Sequence, residues 1–165
     1  MEAIRVIDWR DVARYFIAVA NATGDLMTNL RLQKLVYYAQ AWHLALYDQP
    51  LMAGTFKAWV HGPVLPELYQ QFKMYGSSPI REERYSDDWL TEFQESVHPD
   101  TIELLDDVAE TYMGFTAFEL ERMTHREAPW LEAREGLSPD AHRPIREETM
   151  KTYYRQLLND SHDTH

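Results

Sequence analysis

The run from Leu30 to Gly76, LRLQKLVYYAQAWHLALYDQPLMAGTFKAWVHGPVLPELYQQFKMYG, constrains the fold more than any other part of the chain. Within it Leu32, Leu35, Val36, Ala39, His43 and Leu46 recur at helical spacing, an amphipathic stripe. Tyr38, Trp42 and Ala45 make a second stripe beside the first, so the helix is apolar over more than half its girth. Such a helix has to be covered on two sides and therefore sits centrally in a layered helical domain. The same run holds more Tyr and Trp than a core needs, and the polar tips of these rings favour a rim or contact surface.

Around that helix the other elements follow from local signals. A first helix is expected over Trp9 to Ala22, with Val12, Phe16 and Val19 on one face and Gly24-Asp25 as its stop. Thr28 or Asn29 suits the N-cap of the second helix. Thr55 to Val60 reads as a short strand, for which Pro79 to Tyr85 is the expected pairing partner. Pro66 fits the first position of a helix, and Gly76 fits its end. A short helix is expected over Trp89 to Gln94. Pro99 opens another, with Ile102, Leu105, Ala109 and Tyr112 as its stripe. Thr116 and Glu119 have capping-box spacing. Short and long helices follow at Pro129 to Glu135 and Arg146 to Leu158, the last with Met150, Tyr153, Tyr154, Leu157 and Leu158 inward. The sum is a mainly α, compact single-domain helical fold of about six to eight helices with at most one small two-stranded β element. It occupies residues 1–158, and a disordered tail is expected over 159–165.

Composition narrows the chemistry. With 16 Lys and Arg against 27 Asp and Glu, the formal net charge is −11, which argues against a duplex nucleic-acid binder. There is no cysteine, so disulfides, thiolate metal sites and Cys nucleophiles are excluded. No apolar run approaches the ~20 residues of a membrane span, and the N-terminus lacks a signal-peptide core, so a cytoplasmic location is expected. His125-Arg126-Glu127 matches only the H-x-E fragment of zinc deaminases, whose P-C-x-x-C partner is missing. No P-loop, G-x-S-x-G or G-x-G-x-x-G occurs. Paired acids such as Asp87-Asp88 and Asp106-Asp107 are sequence neighbours and do not face each other on a helix. Neither a metal nor a cofactor is expected, and no catalytic set is visible. The candidate site is a partner-binding one: Lys34, Tyr38, Trp42, Trp59, His61, Tyr69 and Lys73, rings that anchor a protein partner plus a few polar groups that orient it. A small hydrolase or transferase using His61 or His125 stays open as an alternative, as does a phage-encoded regulator of a host protein.

Three ordered blocks carry a family resemblance. The run Thr28-Asn29-Leu30-x-Leu32-Gln33-Lys34-Leu35-x-Tyr37-Tyr38-Ala39-Gln40-x-Trp42 resembles the opening signature of the Panacea domain of SocA-type antitoxins, the phage-associated GepA-like proteins. Ala58-Trp59-x-x-Gly62-Pro63-Val64, with Tyr69, Phe72 and Tyr75-Gly76, resembles the second block. Thr124-His125-x-Glu127-x-Pro129-Trp130 resembles the third, and Ile145, Met150 and Tyr154 resemble the closing helix. Ala41 stands where many members carry Gly. The resemblance implies a stand-alone, non-enzymatic antitoxin that neutralises a protein toxin encoded nearby. In one branch of the family the antitoxin also delivers its toxin to the ClpXP protease.

Overall fold

A computed structural model describes residues 4–163, with side chains to residue 161. Its helices are α1 (Trp9–Thr23), α2 (Asn29–Tyr47), α3 (Pro66–Phe72), α4 (Asp87–Ser96), α5 (Pro99–Tyr112), α6 (Ala117–Thr124), α7 (Ala128–Arg134) and α8 (Glu147–Asp163). Two short strands, β1 (Lys57–Trp59) and β2 (Gly62–Val64), form an antiparallel pair, and a 3-10 turn (Lys73–Tyr75) follows α3. The starts are set by the capping chemistry of the sequence. Asp8 accepts from the Arg10 amide at 2.8 Å, Thr28 from the Arg31 amide at 3.4 Å, and Thr116 and Glu119 close a reciprocal capping box.

Helix α2 is the axis of the molecule. Helices α1, α3, α5, α6 and α8 and strand β2 all pack on it. Leu32, Leu35, Val36, Tyr37, Tyr38, Ala39 and Ala41 are buried on every side. The Tyr37 ring meets Phe56 and Tyr154 edge-on, at centroid distances of 5.4 and 6.4 Å.

Enclosure on this scale forces the polar side chains of α2 to find partners inside the protein, because an unpaired buried polar group costs about 1–3 kcal/mol. They find them on the backbone of the connecting segments. Gln40 accepts from the Leu51 and Met52 amides at 2.8 and 3.2 Å and donates to the Met52 carbonyl at 3.1 Å. Gln33 accepts from the Leu65 amide at 3.0 Å and donates to Asn29 at 2.9 Å, while Asn29 donates to the Tyr69 carbonyl at 3.1 Å. Arg31 donates to the Leu26, Met113 and Phe115 carbonyls and pairs with Asp25 at 2.9 Å. His43 bonds the Gln49 carbonyl at 2.8 Å and faces the Thr101 hydroxyl.

Several expectations need correction. The strand at Lys57–Trp59 does not pair with Pro79 to Tyr85; it pairs with β2, in the register Lys57↔Val64, Ala58↔Pro63 and Trp59↔Gly62. Segment 79–85 instead lies against α1: Asn21 donates to the Glu82 and Tyr85 carbonyls, and the Ile80 amide donates to the Met27 carbonyl at 2.7 Å. On α5 the buried face is Thr101, Leu104, Leu105, Val108 and Tyr112, rotated from the expected stripe, with Ile102 and Ala109 only half-buried. Leu46 and Leu157 are exposed. Helix α8 passes Leu158 and runs to Asp163, since no Gly or Pro stops it and Gln156 donates to Asp160 at 2.9 Å one turn on. The tail expected over 159–165 is thus helical as far as Asp163, and Thr164 and His165 lie outside the described residues.

Replacing Gln40 by Leu keeps the volume and apolar packing but leaves two buried backbone amides without an acceptor. The variant is expected to lose about 2–4 kcal/mol of unfolding free energy, measured by urea denaturation.

Candidate partner-binding site

The β1–β2 hairpin turns at Val60-His61 over the N-terminal half of α2, with α6 alongside. Gly62, just past the turn, has φ +115°, a conformation L side chains rarely adopt. A Cβ there would stand 2.7 Å from Lys34 Cε and 3.2 Å from Thr124 Oγ1, so the glycine makes room for the lysine to run beneath the hairpin. His61 Nδ1 lies 2.7 Å from Glu121 Oε1 on α6, linking the turn to that helix. His125, at the end of α6, stacks on Trp130 of α7 at 3.9 Å and 11° and is hydrogen-bonded to the Val60 backbone. Trp130 Nε1 donates to the Trp59 carbonyl at 2.8 Å. The Trp59 ring lies between Tyr69 and His142, at centroid distances of 5.0 and 4.8 Å. Among the described residues two buried nitrogens beside this hairpin, Trp59 Nε1 and His125 Nε2, have no hydrogen-bond partner.

Between the hairpin turn and α6 runs a groove of about 350 Å³ lined by Leu30, Lys34, His61, Ala117, Phe118 and Glu121. Its walls are apolar and open to solvent: Phe118 is 63% exposed and Leu30 40%. Its floor is Lys34, only 1% exposed. Burial pulls the Lys34 ammonium down to about 8 against the opposing attraction of Glu121. Burial also lowers His125; Glu121 opposes that shift and Lys34 adds to it.

The expected site residues divide between places. Lys34 and His61 share the groove, as floor and rim. Trp59 and Tyr69 form the ring cluster on the hairpin, and Lys73 is exposed on the 3-10 turn. Tyr38 and Trp42 are elsewhere, in an aromatic network that joins α2 to α5 and α8. Tyr38 is fully buried and stacks on Tyr112 at 4.1 Å and 6°, and Trp42 Nε1 donates to the Tyr112 hydroxyl at 2.8 Å. At the centre of this network is Glu127, whose Oε1 accepts from Tyr38 at 2.9 Å and Tyr154 at 2.8 Å. Burial raises its carboxyl to about 7 even though both tyrosine hydrogen bonds favour the ionised form. Leu30, Phe118 and Glu121 escaped the sequence reading. The one available signal was phase: Thr116 and Glu119 cap α6, which places Phe118 and Arg122 one turn apart on its outer face, where the Arg122 guanidinium lies over the Phe118 ring at 5.8 Å.

The family described as "Antitoxin SocA-like, Panacea domain" matches residues 32–131. The chain belongs to the SocA-like Panacea domain family. Antitoxin SocA of Caulobacter vibrioides (strain NA1000 / CB15N) is 33% identical over 129 residues, covering 75% of this chain and 69% of the relative. No solved structure matches. The Panacea match contains the hairpin, most of the groove and Glu127, and it stops before α8, which supplies Tyr154 to the Glu127 network.

Glu127 predicts a pH dependence of known sign. Its folded value of about 7 stands above the ordinary 4.5, so the folded state holds this proton more tightly than the unfolded chain. The stability it contributes is present below pH ~4.5 and is lost as pH rises through ~7. Glu127→Gln should therefore gain on the wild type between pH 5 and 8, by up to about 3 kcal/mol, in urea denaturation at a series of pH values.

Proposed function

We propose that this Panacea-domain protein is an antitoxin that binds a protein toxin encoded beside it and neutralises it in the cytoplasm, by a binding role rather than a catalytic one. The observation that carries the reading is family membership, together with the name of its Caulobacter relative, Antitoxin SocA. The surface supports it. Exposed Phe118 and Leu30 flank a groove whose floor and rim are polar, an apolar patch with orienting groups of the kind protein interfaces use. The ring cluster of Trp59 and Tyr69 and the exposed Lys73, outside the groove, are further candidate contacts. Tyr38 and Trp42 act from within, by holding α2 in place.

His61 bonds Glu121 and His125 bonds the Val60 backbone, contacts that fix the hairpin turn against α6. No helix among the described residues is long and apolar enough to cross a membrane. Neutralisation extends, on this reading, to delivery of the bound toxin to ClpXP. A toxin half-life that shortens when the antitoxin is present, only in cells with active ClpXP, is the expected sign of delivery; an unchanged half-life leaves neutralisation by binding alone.

Leu30→Asp and Phe118→Asp place charge on exposed groove walls and should leave the circular dichroism spectrum intact. Each is expected to weaken toxin capture at least about tenfold and to abolish growth rescue when the neighbouring toxin gene is co-expressed. Full rescue by the double variant would mean that the toxin docks on a different face.

A further inference from the structure

Lys34 is the exception on α2. Asn29, Arg31, Gln33, Gln40 and His43 are buried on the same helix, and each is hydrogen-bonded within the protein. Lys34 is as buried as they are, yet among the described residues its ammonium makes neither a hydrogen bond nor an ion pair. The neighbouring carboxylate, Glu121, is taken up by His61 at 2.7 Å. A charge withdrawn from water and met only by the longer-range attraction of Glu121 is costly for a core to hold, and a Met of similar length would fill the same space without that cost. The chain also accommodates it with a positive-φ glycine, since any Cβ at position 62 would collide with the lysine stem. What the lysine gains is position, since it forms the floor of the groove between Leu30 and Phe118.

We infer that Lys34 is a receptor for a carboxylate of the protein partner, an Asp or Glu side chain carried on a segment whose apolar neighbours seat between Leu30 and Phe118. This rests on the toxin-binding reading above and adds to it the chemistry of the anchor. A carboxylate entering the groove supplies the charge-assisted hydrogen bonds that the ammonium lacks in the free protein, at N···O distances of about 2.7–2.9 Å. The chain's overall negative charge repels an acid at long range, so the attraction acts at contact, where the apolar walls shield the pair from water. Recognition is then selective: a partner segment without an acid at this point leaves the lysine buried and unpaired.

The test is Lys34→Met in the full chain, measured against the toxin encoded beside it. The free variant should melt at or above the wild-type temperature, because the desolvated charge is gone, while its affinity for the toxin falls at least tenfold. Substituting each Asp and Glu of the toxin by its amide, with wild type and with Lys34→Met, should single out one acid whose loss is costly only when Lys34 is present. NMR titration of the lysine ε-methylene in the wild type serves even if the variant folds poorly: the Lys34 midpoint should rise by at least one pH unit on toxin binding. Equal affinity of the variant, absence of any coupled acid, or an unmoved midpoint in the complex overturns the carboxylate receptor while the antitoxin reading stands. A wild-type protein that does not bind the toxin overturns both.

Discussion

The enclosure of α2 governs the rest of the structure. A helix covered by neighbours on every side has no water to satisfy its polar side chains, and all the buried ones except Lys34 are hydrogen-bonded within the protein. In this fold the partners are mainly backbone groups of segments that have no regular structure of their own: the return after α2, the start of α3, and the turns flanking α5 and α6. Gln40 takes the place of a strand neighbour for Leu51 and Met52, and Arg31 gathers carbonyls from two turns far apart in sequence. The buried amides and the guanidinium therefore set the paths of the loops. The hairpin and the groove inherit their positions from that arrangement.

Much of this architecture was legible in the sequence. The stripe Leu32, Leu35, Val36, Ala39, His43 and Leu46, with Tyr38, Trp42 and Ala45 beside it, correctly implied a central helix, although its last member, Leu46, is exposed and Trp42 only partly buried. The Thr116–Glu119 spacing and Pro66 placed two helix starts, because caps depend on chemistry local to the chain. Long-range choices were not legible. Whether 79–85 pairs with a strand or lies on a helix depends on Asn21, some sixty residues away, offering its amide to the Glu82 and Tyr85 carbonyls. The rotation of the buried face of α5 likewise depends on which neighbours it meets, including His43 opposite Thr101. At the site, Lys34 was expected among the polar groups that orient a partner, and nothing in its neighbours announced that a hairpin would close over it and bury it. Phe118 and Leu30 were hidden for the opposite reason: single exposed apolar residues are common, and only their convergence in space gives them meaning.

The third sequence block joins the two halves of the molecule. His125 and Glu127 stand two positions apart on the connection from α6 to α7. His125 stacks on Trp130 beneath the hairpin, whereas Glu127 turns the other way to hold the hydroxyls of Tyr38 and Tyr154. One short connection thus contributes both to the support beneath the hairpin and to the polar centre of the core, and its geometry must satisfy both at once. That dual demand accounts for a dense set of bulky and titratable side chains in a stretch too short to form a helix of any length.

The hairpin has a further consequence for how anything can attach to it. One side of β1 is paired with β2; on the other, the Ala58 amide donates to the Arg143 carbonyl and the Ile145 amide to the Phe56 carbonyl, so the segment before α8 occupies that side too. Strand β2 is buried along its length and carries Pro63, which has no amide hydrogen to offer. A visiting chain therefore finds no exposed ladder to extend, and recognition by adding a strand is closed at this element. Specificity at this surface has to be expressed through side chains, which can diverge from one relative to the next without disturbing the backbone that displays them.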